Sequence, residues 1–341
     1  MYRLKYGGGL LLELNNKRII FDPVQGFSGD LILISHAHSD HIRGINDNDN
    51  SVLVLSPPTM DIIFQRNRKL HRSVDIIQPN DFKSYNDVII EAYNAGHVLG
   101  SLEFLLEFYD LRIGYTGDFN IYGSIVDDPA YIMRDLDVLV IESTYGRPDY
   151  NFPPRSFIYE KILSWIATNI KDGRTVVIGV YPLGKAQELT YLLNKEFGKV
   201  FVSEKIHNIN KVFDRHKFKL NYKLIEQGMN SIFDGSELVI ATTSEVSKIV
   251  NMINLQSANK AVGSICTGWS LNYHNSNNGV QYFPLSSHSD FKGLLKYVEM
   301  SRPKMVYTLY GFSYELAEYI NRKLNIKAKS LDSKIEDFSY F

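Results

Sequence analysis

In the first part of the chain, apolar residues cluster in runs of strand length separated by turn residues. Leu10–Leu14 and Arg18–Phe21 flank Asn15-Asn16, a pair that tolerates positive φ and predicts a tight hairpin. Leu31-Ile32-Leu33-Ile34 is uninterrupted and reads as a buried strand. Val52–Leu55, Val88–Ala92, Leu102–Phe108, Arg112–Tyr115 and Val138–Ile141 are further strand candidates, with Tyr109-Asp110 as the turn of a second hairpin. So many strands with few helices predict a β-rich layer arranged as a sandwich.

The pattern changes near Asn151-Phe152-Pro153-Pro154, where helical periods begin to alternate with apolar strands. Ser156 is the expected cap of a helix running to Asn169, with Gly173 beyond its end. Thr175–Tyr181 predicts a strand and Gly184–Phe197 an amphipathic helix. Val200–Ser203, Leu238–Ala241 and Lys260–Ile265 predict strands with helices between them. This β–α alternation predicts an inserted domain built on a parallel sheet. Asn272–Gly279 predicts a loop, followed by helix Asp290–Met300, strand Met305–Leu309 and helix Tyr314–Leu324.

The 341 residues allow one large domain or two smaller ones. A formal net charge of −1 excludes a globally basic nucleic-acid binder but not a local basic groove. Cys266 is the only cysteine, which excludes an intramolecular disulfide and points to a reducing compartment. No apolar run approaches the ~18 residues of a membrane span. The amino terminus passes directly into strand-like sequence rather than a signal peptide. The expectation is a soluble cytoplasmic protein with no membrane partner.

The candidate chemistry begins at Ser35-His36-Ala37-His38-Ser39-Asp40-His41, directly after the first buried strand. In near-extended backbone, residues two apart point the same way, so His36, His38 and Asp40 converge. His41 reaches the same place from the turn. Three imidazoles and a carboxylate suit zinc or a similar divalent ion. The alternative is a solvated histidine turn; burying such a cluster without a cation would be costly. His97, in Ala95-Gly96-His97-Val98-Leu99-Gly100, is either structural or a further ligand, and the need for another ligand favours ligation. Asp118 either caps a turn or bridges two metals. Asp22 either orients a ligand histidine or serves as a turn residue before Pro23. Glu142 ends a strand, where sites gather in layered α/β folds. His288 stands just before a helix that Ser289 or Asp290 would cap. His71, His207, His216 and His274 read as solvated surface.

These segments together resemble the β-CASP branch of the metallo-β-lactamase superfamily, over nearly the whole chain and in motif order. Asp22, the His36–His41 cluster, His97 and Asp118 fall on the hydrolase motifs, and Glu142 and His288 on two motifs of the branch. Glu142-Ser143-Thr144-Tyr145-Gly146 with Phe152-Pro153-Pro154-Arg155 is similar to the DNA-processing subgroup, as are Tyr181-Pro182-Leu183-Gly184-Lys185-Ala186-Gln187, Thr267-Gly268-Trp269 and Phe283-Pro284-Leu285-Ser286-Ser287-His288-Ser289-Asp290. That subgroup holds the Artemis-like nucleases and the ligase-associated DNA exonucleases, and the last three segments look most like the ligase-associated type. One departure stands out. Tyr310, in Tyr307-Thr308-Leu309-Tyr310-Gly311, occupies the place where RNA-cleaving relatives carry a histidine for the second metal.

The resemblance implies an α/β fold: an αββα sandwich in residues 1–150, a β-CASP α/β insert in 151–270, and a return to the sandwich in 271–341. It implies phosphodiester hydrolysis, with DNA favoured over RNA and digestion from the 5′ end favoured. Zinc would be held firmly by His36, His38, His97 and Asp118. A weaker second site would use Asp40, His41 and Asp118, and a manganese- or magnesium-class ion is the alternative metal. Asp40 would orient the attacking water, and His288, held by Glu142, would protonate the leaving oxygen. Lys185, with Tyr181, Ser143 and Thr144, would grip a terminal phosphate, or Lys185 is simply a solvated residue early in a helix. Arg66, Arg68, Lys69 and Arg72, and separately Arg215, Lys217, Lys219 and Lys223, could track a phosphate backbone or form solvated faces. Association with a DNA ligase or helicase is the implied partnership. The competing readings are a ribonuclease, a hydrolase of small esters or lactams, and an inactive nucleic-acid-binding scaffold.

Overall fold

A computed structural model describes residues 2–25, 28–46, 51–225, 236–256, 261–272, 279–331 and 338–340. The first stretch carries β1 (Tyr2–Tyr6), β2 (Leu10–Leu14), β3 (Lys17–Phe21), β4 (Leu31–Leu33), β5 (Val52–Leu55), α1 (Pro57–Gln65), β6 (Val74–Ile76), β7 (Phe82–Tyr85), β8 (Val88–Asn94), β9 (Leu102–Phe108), β10 (Leu111–Tyr115) and β11 (Val138–Glu142). Next come α2 (Arg155–Lys171), β12 (Thr175–Val180), α3 (Lys185–Phe197), β13 (Val200–Val202), α4 (Glu204–His216), β14 (Lys223–Leu224), β15 (Leu238–Thr242), α5 (Val246–Gln256), β16 (Ala261–Cys266) and β17 (Gln281–Phe283). The chain closes with α6 (Phe291–Ser301), β18 (Met305–Leu309), α7 (Ser313–Tyr319), β19 (Lys327–Ser330) and β20 (Phe338–Tyr340).

These elements form two compact units, one of Met1–Gly123, Asp127–Asn151 and His288–Phe341, the other of Ser124–Val126 and Phe152–Ser287. The first unit holds two sheets of order β20-β1-β2-β3-β4-β5-β6 and β19-β18-β11-β10-β9-β8-β7. Their facing sides share one core, in which Leu12, Leu33 and Val54 pack with Ile90, Phe104, Ile113 and Val140. Alternation along each strand leaves a second apolar face that a helix must cover. Leu294 and Val298 of α6 and Leu316 of α7 cover Leu105, Leu139 and Ile141. Ile63 of α1 covers Ile20, Ile32 and Leu53. The result is the αββα sandwich the sequence led us to expect. Both two-residue hairpin turns occur, with Asn15 and Tyr109 at positive φ.

The second unit is a six-stranded sheet of order β14-β13-β15-β12-β16-β17, parallel at every pairing. Ile162 of α2 and Leu189 of α3 pack on Ile178 and Ile240. Val246 and Ile253 of α5 pack with Val177, Val239 and Ala241. This is the inserted α/β domain.

Several details differ from the sequence pattern. Helix α1 carries no strong periodic signal, because it is short and opens on Pro57-Pro58; proline is tolerated there since the first helical N–H groups need no intrahelical partner. Helix α2 begins at Arg155 after Pro154, so Ser156 lies inside it and is not the cap. The chain returns to the first unit at His288 rather than at 271, because Gln281–Phe283 pairs in parallel with Ser264–Cys266 as an edge strand of the second unit's sheet. Most of the predicted loop at 272–279, with His274, lies outside the described residues. Asp290 caps α6 by accepting from the Gly293 N–H at 2.8 Å.

Candidate metal centre

The candidate site residues sit at or just beyond the carboxyl ends of strands: Asp22 after β3, His36–His41 after β4, His97 after β8, Asp118 after β10 and Glu142 at the end of β11. Strands β3 and β4 run parallel, as do β10, β11 and β18. Their carboxyl ends therefore collect on one rim of the sandwich, where loops from different strands can meet. Gly117 makes the closest approach possible. Its φ is +53°, and a Cβ there would lie 2.5 Å from the Ser35 Cβ. Only a glycine brings the Asp118 loop this close to the histidine loop.

One ligand atom each from His36, His38, His97 and Asp118 lies within 4.8 Å of the others. His97 Nε2 is 3.2 Å from His38 Nδ1. Asp118 Oδ2 is 3.5 Å from His36 Nε2 and 3.7 Å from His97 Nε2. Tetrahedral zinc with bonds of about 2.0–2.1 Å needs ligand atoms about 3.3 Å apart, so these spacings fit. The buried His36 Nε2 has no hydrogen-bond partner among the described residues, which is costly unless its lone pair meets a cation. On donor chemistry and spacing, the residues fit a divalent ion.

Asp22 sets the directions of two rings. Fully buried, it accepts from the Ser35 N–H at 2.7 Å, the Ser35 hydroxyl at 2.6 Å and the Tyr115 hydroxyl at 2.7 Å. It also pairs with His41 Nδ1 at 2.8 Å, which leaves His41 Nε2 facing Asp118 Oδ2 at 3.4 Å. With the Ser35 hydroxyl donating to Asp22, its oxygen accepts from His36 Nδ1 at 2.9 Å, so that ring too turns Nε2 toward the centre. Of this network, the residue pattern marked Asp22 but neither Tyr115 nor Ser35. Tyr115 looks like a buried strand-end tyrosine and Ser35 like a linker.

The electrostatics express crowded imidazoles around one carboxylate. Burial, then the neighbouring His41 and His38, lower the pKa of His36 well below its ordinary value. Burial also opposes charge on His41, but Asp118 and Asp22 outweigh it and raise its pKa. Burial would raise Asp118, yet His41, His288 and His36 hold it well below the usual carboxylate range. An anionic Asp118 beside inward-facing nitrogens is what a cation site requires.

Glu142 and His288 form a second group against Asp118. Glu142 Oε1 pairs with His288 Nδ1 at 2.9 Å and accepts from the Phe119 N–H at 3.1 Å. Oε2 accepts from the Thr144 N–H at 3.2 Å. Both oxygens are thus engaged, and His288 presents Nε2 on a ring whose side chain is 18% exposed. Ser289 tethers this segment to the Asp118 loop, its N–H donating to the Phe119 carbonyl and its Oγ accepting from the Ile121 N–H.

No protein-family model matches the chain. A probable DNA ligase of Opitutus terrae is 27% identical over 314 residues, 89% of this chain and 29% of that protein. An RNase J-like protein of Methanocaldococcus jannaschii is 32% identical, over 48% of this chain and 43% of that protein. The 5′ exonuclease Apollo of Gallus gallus is 32% identical, over 49% of this chain and 36% of that protein. The last two are nucleases by name. The chain spans less than two thirds of the length of these relatives. A solved protein of unknown function from Enterococcus faecalis superposes with a TM-score of 0.66 at 12% identity, covering 99% of both chains, and so shares the fold.

The remaining candidates separate in the structure. Asp40 is 68% exposed, its Oδ2 3.8 Å from His41 Nε2. The Tyr310 ring lies 5.5 Å from the His41 ring. Burial, then the Asp22 carboxylate, raise its phenol well above the ordinary value, which keeps it protonated and a poor ligand. Ser143 is buried, and its hydroxyl donates to the Leu309 and Tyr310 carbonyls at 2.9 and 2.5 Å. It anchors a strand end and does not fit the phosphate role expected of it. Thr144 belongs to the first unit, Tyr181 and Lys185 to the second. Burial pushes Lys185 down to about 8, Glu188 offsets part of this, and Arg155 adds to it. Arg155 is held by Glu188 at 2.6 Å through both oxygens. In the basic run at 66–72, Arg66, Arg68 and Arg72 donate to Ala37, Ile42 and Ser51, and Lys69 is exposed. Lys217, Lys219 and Lys223 are exposed. Among the described residues, no helix is long and apolar enough to cross a membrane.

Proposed function

We propose that this chain is a metal-dependent nuclease that hydrolyses phosphodiester bonds, working on DNA from the 5′ end. The observation that carries the reading is the convergence of His36, His38, His97 and Asp118 beside the Glu142–His288 pair. A divalent ion held by the first four residues, zinc in our assignment with a manganese- or magnesium-class ion as the alternative, would supply Lewis acidity and an activated water. Asp40 and His41, with Asp118, form a weaker second ligand set. The protonated Tyr310 adds no ligand there.

The chain's own groups divide the proton work. Asp40, exposed at the rim, orients the attacking water or takes its proton. His288 delivers a proton from Nε2 to the leaving oxygen, because Glu142 occupies its Nδ1 side. Glu142 is a positioning residue, itself fixed by the Phe119 and Thr144 amides. Lys185 and Tyr181 bind a terminal phosphate, which would favour digestion from an end. Tyr310 supports the DNA assignment, since the resemblance ties loss of the histidine to the DNA-processing subgroup. The exonuclease Apollo supports the polarity, and the Opitutus relative's name supports a link to DNA ligation. The RNase J-like relative favours a second reading, a ribonuclease with the same chemistry.

The test offers the zinc- or manganese-loaded protein linear and circular single strands of DNA and RNA of one sequence, each end labelled in turn. Release of label from the 5′ end of linear DNA, with circles intact, is the expected result. Degradation of RNA alone would select the second reading, and no cleavage of any polymer would end the nuclease assignment.

A further inference from the structure

The loop from His36 to His41 carries four candidate ligands, yet it is neither helix nor strand. Its geometry must be imposed from outside, and the segment just beyond α1 does so. That helix ends in a turn where Asn67 takes φ +57°, the Asn67 N–H reaches the Phe64 carbonyl and the Arg68 N–H reaches the Ile63 carbonyl. This pairing locks the backbone that carries Arg66 and Arg68. Both guanidinium groups then point back at the histidine loop. Arg66 Nη1 donates to the Ala37 carbonyl at 2.5 Å, and Arg68 Nη1 donates to the Ile42 carbonyl at 2.6 Å. Asn46 Nδ2 donates to the Lys69 carbonyl at 2.8 Å, tying the loop's far end to the same segment.

We propose that Arg66 is a positioning residue for the metal centre, with Arg68 as its support. Ala37 is fully buried and lies between His36 and His38, and its carbonyl is in the peptide that leads to His38. Rotation of that peptide would carry the His38 imidazole away from His36. A charged donor on the carbonyl resists that rotation more strongly than a neutral one. Arg68 holds Ile42, the residue after His41, so the two bonds bracket His38, Asp40 and His41. The inference rests on the metal-centre reading above and adds an outer layer to it.

The experiment compares the unaltered chain with Arg66→Met, Arg66→Lys and Arg68→Met. Zinc affinity is measured by competition with a chromophoric chelator, and the visible absorption of the cobalt-loaded forms reports ligand geometry. Arg66→Met is expected to weaken zinc binding about 10–100-fold, as loss of outer ligand supports does elsewhere, and to change the cobalt spectrum. Arg66→Lys, keeping one charged donor, should recover part of the affinity, and Arg68→Met should show a smaller loss. With DNA, kcat should fall while the slope of log KM against log salt stays fixed. If Arg66→Met folds by circular dichroism and binds zinc like the unaltered chain, the proposal is wrong. Where Arg66→Met does not fold, it is also wrong if a folded Arg66→Gln binds zinc like the unaltered chain. A salt slope reduced by about one, with zinc affinity intact, would make Arg66 a phosphate contact instead. Failure of the unaltered chain to bind any divalent ion would instead refute the metal-centre reading.

Discussion

Replacing His288 separates proton donation from metal binding. The structure places its Nδ1 at 2.9 Å from a Glu142 oxygen, while Glu142 is itself fixed by two backbone amides. His288→Ala removes the donor but none of the four converging ligand atoms of His36, His38, His97 and Asp118. A positioned general acid contributes about 10²–10⁴-fold, or roughly 3–5 kcal/mol of barrier. The expected result is a fall of that size in kcat on DNA, with zinc content unchanged. An activated aryl phosphodiester, whose leaving group departs as a stable anion, needs no proton and should lose far less. Glu142→Gln gives a second handle. Its amide would face the Thr144 N–H with a donor, leaving one buried amide unsatisfied at a cost of about 1–3 kcal/mol. It should slow DNA cleavage by less than His288→Ala and again spare the aryl substrate. Equal losses on both substrates with zinc retained would refute the general-acid role. Loss of zinc would show His288 to be a ligand.

Asp118→Asn should strip the ion on dialysis and abolish turnover, since Asp118 Oδ2 lies 3.4–3.7 Å from three imidazole nitrogens; full zinc retention by elemental analysis would contradict this. Gly117→Ala should destabilise by about 1–3 kcal/mol in urea and lower metal content, because a methyl would lie 2.5 Å from the Ser35 Cβ at a left-handed φ; an unchanged midpoint would show that the two loops have room to part. Lys185, at about 8, is charged below that pH and neutral above it. Preference for 5′-phosphorylated over 5′-hydroxyl ends in kcat/KM should therefore fall as pH rises through 8, and Lys185→Gln should flatten the profile. A profile identical in both forms would remove Lys185 from phosphate binding.

Much of this molecule was legible in its sequence because the informative signals are local. A buried strand reads as an apolar run, so the strands Val52–Leu55, Leu102–Phe108 and Met305–Leu309 coincide with their sequence limits. The order β-rich, then alternating β–α, dictated a sandwich with an α/β insert. The spacing of His36, His38, Asp40 and His41 after a strand end marked the candidate metal loop. What the sequence left undecided depends on contacts distant along the chain. Tyr115 lies 93 residues from the Asp22 carboxylate it supports, and His288 lies 146 residues from Glu142. Arg66 and Arg68 read as free surface charge because the carbonyls that take their donors belong to a loop more than 25 residues away. Side-chain type and local period settle which face of an element is buried. Only the closed fold decides which buried polar groups meet, since an unpaired donor or carboxylate is costly in the core and finds its partner wherever topology brings one.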